Sequence, residues 1–321
     1  MTTCGTIIQA IIFILFFRFF ITSCALSHNS RLSNPTHTLV FKPTSITIES
    51  VIQSYPITLL NKIFSSVPKR EKAIDNISLV FGHVEDNPGN VNDRNYGFTL
   101  LVGRSASGKS TLLKILAQKM EQPISGEMSV NGRQIIMEDS HQNSILSPKP
   151  IIIDSKPDCF DTKTSVFQRI LDSIPNIKFD VDMNSSPSEI KSLKENIVYE
   201  VATNLGFTKD QLNSCTPSDL TPSQQYLFGL ACSCVESSFT SKLHIDKENS
   251  VIEIPCPVLL LDELLDKETS GVASKVGNAL LTIAKQGGVV VVATHRPEYL
   301  MAMAERVVTL SSGRILSIEY N

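Results

Sequence analysis

The sequence predicts an α/β fold: a mainly parallel sheet, an antiparallel β region and an inserted α-helical region. Three observations carry that prediction. The first is a glycine-rich loop running Gly103, Arg104, Ser105, Ala106, Ser107, Gly108, Lys109, Ser110, Thr111. It is set between an apolar run at 98–102 and a helical pattern of Leu112, Leu113, Ile115 and Leu116. The second is a pair of unbroken apolar runs, 258–261 and 289–293, of the kind found in parallel strands covered on both faces. The third is the stretch between these, about 155–245, where Ile190, Leu193, Ile197 and Val201 recur at helical spacing.

The elements follow in order. Strands are expected at 57–60, 74–81 and 98–102. The Asp/Asn/Gly-rich residues 83–95 between the last two form a surface excursion. After the loop and its helix, residues 125–132 predict a strand and a tight Asn131-Gly132 turn. Pro187-Ser188-Glu189 opens a helix that Gly206 closes. The strand at 258–261 ends in Asp262-Glu263, and the strand at 289–293 ends in Thr294-His295. No internal repeat and no sustained heptad pattern is present.

The N-terminus reads differently. Residues 7–21 are nearly all apolar, interrupted by Gln9 and Arg18, which is short of the ~20 apolar residues a membrane-spanning helix needs. Small residues at Ser23-Cys24-Ala25 suit a cleavage site, and no Lys or Arg precedes the apolar run. Residues 26–48 are rich in Ser, Thr, Asn and Pro, and the first acidic residue is Glu49. The expected division is a signal-like leader at 1–25, a Ser/Thr-rich presequence or linker at 26–55, and one domain at 56–321 with its helical subdomain at about 155–245. The leader resembles the two-part presequence of proteins sent to plastids of secondary origin; the alternative is a membrane anchor with the domain in the cytosol.

Composition bounds function loosely. A net charge of −3 argues against bulk nucleic-acid binding. The seven cysteines show neither paired CxxC spacing nor the framework of a small secreted domain, so idle reduced thiols are expected rather than disulfides or zinc.

The loop has the G-x-x-x-x-G-K-S pattern of a phosphate cradle. Its glycines let backbone N–H groups turn toward an anion, and the following helix N-terminus adds a positive dipole. Lys109 would reach the β- and γ-phosphates of a nucleotide and Ser110 would place its hydroxyl on Mg²⁺. The competing interpretation of the same residues is a glycine turn with a chance Gly-Lys-Ser.

Loop, helical insert, strand ending in Asp-Glu and strand ending in His stand here in the order of the nucleotide-binding domain of ATP-binding cassette (ABC) proteins. From about residue 57 to 317 the chain resembles that family, a branch of the P-loop NTPases. The residues that carry the likeness are 73–79, the loop region 100–116, the Ser125-Gly126-Glu127 and Val130-Asn131-Gly132 segment, and the two strand ends. The resemblance implies ATP and Mg²⁺ as ligands. Asp262 would help hold the metal, Glu263 would act as general base on the attacking water, and His295 would contact the γ-phosphate. Thr111 would bind the α-phosphate and Phe64 would stack on adenine, although Phe64 could equally be a core aromatic.

Three departures from the family pattern stand out. Leu220-Thr221-Pro222-Ser223-Gln224 occupies the place of the Leu-Ser-Gly-Gly-Gln signature. There Thr221, Ser223 and Gln224 would contact ATP held by a partner cassette, but Pro222 has no N–H to donate. One lost charge-assisted hydrogen bond weakens such a site about 10- to 100-fold. Asp154 stands where a metal-contacting, transport-coupling glutamine is expected. Asp266 follows Glu263 too closely for the family's spacing and is assigned to the loop that contacts a second cassette.

The resemblance implies a dimer with a second cassette, identical or related, and ATP hydrolysis that energises a transporter whose membrane permease is a separate chain. A soluble ABC ATPase and a nucleotide-dependent regulatory module with weak hydrolysis are the alternatives; no nucleic-acid partner is expected.

Overall fold

A computed structural model describes residues 38–54, 72–83, 95–120, 124–135, 148–159, 162–175, 187–239, 244–246 and 251–321. The chain begins with β1 (Thr38–Lys42), β2 (Ser45–Ser54), β3 (Lys72–His83), β4 (Asn95–Tyr96) and β5 (Phe98–Val102), followed by α1 (Lys109–Leu116). β6 (Ile124–Val130) and β7 (Arg133–Ile135) form a hairpin whose two turn residues, Asn131 and Gly132, both take positive φ (49° and 73°). This is the backbone a two-residue hairpin loop requires. β8 (Ile151–Ile153) precedes four helices: α2 (Val166–Asp172), α3 (Pro187–Asn204), α4 (Lys209–Ser214) and α5 (Pro222–Ser238). β9 (His244–Asp246), β10 (Val251–Pro255), β11 (Val258–Asp262), α6 (Ser270–Lys285), β12 (Val289–Ala293), β13 (Arg306–Ser311) and β14 (Arg314–Tyr320) complete the order.

The central sheet has six strands in the order β14-β13-β5-β12-β11-β8. Five of them run parallel and β14 turns back antiparallel along the β13 edge. The apolar runs of β11 and β12 are unbroken because both faces are buried. Leu260, Val258, Val291 and Val289 pack with Leu112, Leu113 and Leu116 of α1. Leu259, Leu261, Val290 and Val292 face the other way, into a core shared with α5 and α6. This is the burial that a helix-covered parallel sheet predicts.

A second sheet is antiparallel, in the order β4-β3-β2-β6-β7. Its inner face is supplied by Ile46, Ile48, Val51, Ile74, Phe81 and Met128, all within the core that α1 shares. A small three-stranded sheet, β1-β10-β9, joins β1 in parallel to β10. The architecture is therefore the expected mixture of parallel core, antiparallel sheet and helices.

One boundary differs from expectation. Residues before about 55 read as presequence or linker, yet 38–54 are β1 and β2, and β2 pairs with β3 on one side and β6 on the other. The hydroxyl-rich composition hid a period-2 strand: Ile46 and Ile48 point inward while Ser45 and Thr47 alternate with them. The leader at 1–25, the strand expected at 57–60, most of the 83–95 excursion and Phe64 lie outside the described residues. Five cysteines of the described region, Cys159, Cys215, Cys232, Cys234 and Cys256, are free thiols.

Candidate active site

The site is assembled at the C-terminal ends of neighbouring parallel strands. β5 delivers the loop 103–108, and α1 begins at its far side. The loop curls back through positive φ at Gly103 (151°), Ala106 (60°) and Gly108 (105°). A Cβ on Gly103 would come within 2.3 Å of the Leu310 carbonyl oxygen, so that position needs glycine. Ala106 adopts a left-handed backbone despite its side chain, at a cost of about 1–2 kcal/mol.

Lys109 is buried and folds back over the loop, where Nζ donates to the carbonyls of Gly103 (2.9 Å) and Arg104 (3.3 Å). Arg104, Ser105 and Ala106 are exposed at the rim, whereas Ser107 is buried with Oγ lacking a hydrogen-bond partner among the described residues. An unpartnered buried hydroxyl in a glycine-rich loop suits an incoming anion.

β11 carries Asp262 to the same place. Ser110 Oγ donates to Asp262 Oδ1 at 2.9 Å, which joins the first turn of α1 to the strand end. Two hard oxygens this close are the donor set a Mg²⁺ ion prefers. The chain then bends: Glu263 has a positive φ of 55° and its N–H donates to the Ala293 carbonyl. That bend aims the Glu263 side chain away from Asp262 and toward β12. There Glu263 Oε1 meets His295 Nε2 at 2.8 Å, and His295 Nε2 stands 3.4 Å from Lys109 Nζ.

Burial shapes the charges. Desolvation pulls the Lys109 ammonium below its ordinary pKa, opposed by Glu263, Asp262 and Asp266. Desolvation likewise pushes the Asp262 carboxyl up, opposed by the Ser110 hydroxyl and reinforced by Glu263.

Asp266 holds the histidine in place. Its Oδ1 accepts from Thr294 Oγ1 at 2.5 Å and its Oδ2 accepts from the His295 N–H at 2.8 Å. Thr294 Oγ1 in turn accepts from the Arg296 N–H at 2.9 Å. The sequence assigns Asp266 to the loop that contacts a second cassette; within the chain both of its carboxylate oxygens accept hydrogen bonds. The short Asp262-to-Asp266 spacing explains this, since a tight turn (Asp266 N–H to the Glu263 carbonyl, 3.2 Å) keeps Asp266 beside β12. Tyr226 was also missed: its hydroxyl donates to Glu268 Oε1 at 2.6 Å, tying the first turns of α5 to the segment after Asp266.

Not every expected residue joins the cluster. Asp154 follows β8, which pairs with β11 through Ile153 and Leu261, so it stands at the same sheet edge as Asp262. It is exposed and makes no hydrogen bond or ion pair with another described residue. Thr221, Ser223 and Gln224 form the first turn of α5. The Thr221 backbone N–H and hydroxyl both donate to Gln224 Oε1 (3.1 and 2.8 Å), and Pro222 fills the N1 position where no N–H is missed by the helix. Among the described residues, none of the three bonds to the phosphate loop or to the acids of its own chain. Thr111 lies in the first turn of α1.

Comparison with known proteins bears on the sequence pattern and on the fold. The ABC transporter family pattern matches residues 94–239. Among similar sequences, an uncharacterised ABC transporter ATP-binding protein of Mycobacterium tuberculosis is 26% identical over 270 residues, covering 81% of this chain and 89% of the relative. ABC transporter G family member 12 of Dictyostelium discoideum is 25% identical over 225 residues, covering 67% of this chain and 30% of the relative. Among solved structures, the dimeric bacterial ABC transporter cassette MJ0796 superposes with a TM-score of 0.52 at 17% identity, covering 86% of this chain and 98% of that one. The ADP conformation of MJ1267, an ATP-binding cassette of an ABC transporter, gives a TM-score of 0.55 at 15% identity, covering 87% of this chain and 92% of that one. The chain folds as an ABC ATPase cassette and carries the ABC transporter family's sequence pattern across the phosphate loop and the helical region.

Proposed function

We propose that this protein is the ATP-binding and ATP-hydrolysing subunit of an ABC-type system and energises a transporter whose membrane part is a separate chain. The observation that carries this reading is the convergence of Ser110 and Asp262 at 2.9 Å with Lys109, His295 and Glu263 alongside. Loop amides from Gly103 to Thr111 would cradle the phosphates, with Lys109 on the β- and γ-phosphates. Ser110 and Asp262, with Asp154 at the neighbouring strand end, would hold Mg²⁺, which neutralises charge on the phosphate oxygens. Glu263 would accept a proton from the attacking water, and His295 would hold the γ-phosphate in line. Phe64 would stack on the adenine ring.

Thr221, Ser223 and Gln224 stand on a helix N-terminus that makes no bond to the site of the same chain. They would serve the ATP bound by a second cassette, identical or related. Among the described residues no helix is long and apolar enough to cross a membrane, so a permease chain would supply the membrane passage and place this cassette at the membrane. Delivery to a plastid-like organelle would rest on residues 1–37, and a fluorescent fusion of that segment tests it.

A second reading, a nucleotide-gated module with weak hydrolysis, is favoured by Pro222 in the signature and by left-handed Ala106 in the phosphate loop. Calorimetry with Mg-ATP and steady-state hydrolysis by the purified chain separate the two. Binding lost in Lys109→Ala together with turnover at an ordinary cassette rate supports the first, binding without turnover supports the second, and no binding at millimolar Mg-ATP overturns both.

A further inference from the structure

At the opposite end of β11 from Asp262, a cleft of about 200 Å³ opens between β1, α3, α5 and α6. None of its lining residues belongs to the phosphate loop or to the acids beside it. β11 has five residues, so the two places are separated by about 17 Å of strand. Phe41, Val201, Leu205 and Ile283 give the cleft apolar walls. A cavity of about 150 Å³ accommodates a benzene ring, so this one holds a ring with a short arm.

Glu200 is the only charged residue among the described residues that line the cleft. It follows from the periodicity of α3, where Glu200, Val201, Asn204 and Leu205 share one helical face toward the opening. Its carboxylate is half-buried and has no hydrogen-bond or ion-pair partner among the described residues. Burial pushes the Glu200 carboxyl above its ordinary pKa, with no compensating contact. The two lining thiols do not neutralise it. Cys256 is held neutral by burial, pushed up to about 12, and Sγ donates to the Gln286 carbonyl at 3.0 Å. Burial drives Cys234 up as well.

A desolvated carboxylate without a counter-ion is unfavourable, and a ligand that brings its own cation offsets that cost. We propose that this cleft is a binding site for a small apolar amine, with a ring-sized body against Phe41, Leu205 and Ile283 and an ammonium group on the Glu200 carboxylate. Neutral molecules of the same shape would fill the walls and leave the carboxylate unpaired, so charge supplies the selectivity.

The test uses the full chain and 2-phenylethylamine as probe, with 2-phenylethanol as the neutral isostere, followed by calorimetry and by the shift in thermal midpoint. The amine should bind and raise the midpoint, and the alcohol should bind about 10- to 100-fold more weakly, the worth of one charge-assisted hydrogen bond. Glu200→Gln should weaken amine binding by the same factor. Glu195→Gln, an acid on the same helix paired with Lys191, should leave it unchanged. Saturating Mg-ATP should not compete. Equal affinity for amine and alcohol in the unmodified chain, absence of amine binding at millimolar concentration, or amine binding unaffected by Glu200→Gln would each overturn the proposal.

Discussion

Glu263 Oε1 and His295 Nε2 face each other at 2.8 Å, held there by a left-handed bend at Glu263 and by the grip of Asp266 on the His295 backbone. An ionised carboxylate only accepts hydrogen bonds, so the contact places a proton on Nε2 and leaves Lys109, 3.4 Å away, donating to the loop carbonyls instead. In the proposed reaction, a γ-phosphate arriving beside Lys109 would offer Nε2 a new acceptor and would free Glu263 for water.

Replacing Glu263 by Gln should lower ATP turnover by about 100- to 10,000-fold, the usual worth of a general base, with Mg-ATP binding retained. Because uncleaved ATP would hold the two cassettes of the proposed dimer together, the variant should run as a dimer in sedimentation with Mg-ATP. A monomer turning over at the unmodified rate would refute the role.

Asp266→Ala should remove the acceptors for Thr294 and His295 without touching any phosphate-loop contact. The buried Thr294 hydroxyl and the exposed His295 N–H lose their acceptor, and the half-buried Arg296 N–H loses the alignment of its own acceptor, so stability should fall by about 1–3 kcal/mol. Turnover should fall about tenfold or more while KM for ATP stays near the original value. Denaturant unfolding together with a kcat-against-KM split checks this, and a change confined to KM would contradict it.

Ala106→Gly should be tolerated or stabilising by up to about 1 kcal/mol, because relief of the left-handed backbone exceeds the extra freedom glycine has when unfolded. Gly108→Ala should do the opposite: φ is +105° and a Cβ would sit 2.9 Å from the Ala73 carbonyl oxygen. Thermal melts of the two variants, run side by side, measure the contrast, and Mg-ATP affinity should improve or hold in the first and drop in the second.

Glu200 supplies a pH signature. Its folded pKa is raised above the ordinary 4.5 by burial, so the folded state binds the proton more tightly than the unfolded one. Below 4.5 both states are protonated and the group is silent. As pH rises from there through the raised folded value, stability is lost, and above it the full cost of the buried charge remains. Glu200→Gln should therefore melt higher than the unmodified chain at pH 7, with the difference closing as pH falls toward 4.5. Cys234 and Cys256, the other titratable lining groups, stay neutral across that range because burial raises both. A difference independent of pH would contradict the assignment.

Much of this architecture was written in local pattern. The phosphate loop declared itself through glycines at positions that need positive φ and a lysine at the start of a helix. β11 and β12 declared themselves through apolar runs that suit a strand buried on both faces, and the fold class and the ligands implied for Lys109, Ser110, Asp262, Glu263 and His295 followed from the order of these pieces. Composition misled at residues 38–54, where Ser and Thr on an outward face masked Ile46 and Ile48 on the inward one. Pairing to β3 and β6, which are distant in sequence, turned that segment into a strand.

What the sequence by itself determined was therefore the parallel core, the glycine-rich turn before a helix, and the placing of Asp262-Glu263 and of His295 each at the end of a strand, because each depends on spacing within one element. Only the tertiary structure decided that Asp266 grips Thr294 and His295, that Tyr226 reaches Glu268, and that Glu200 stands in an apolar cleft with no ion-pair partner among the described residues. Those facts depend on which strand lies beside which and on how far burial strips water from a charge, and neither is carried by residues adjacent in the chain.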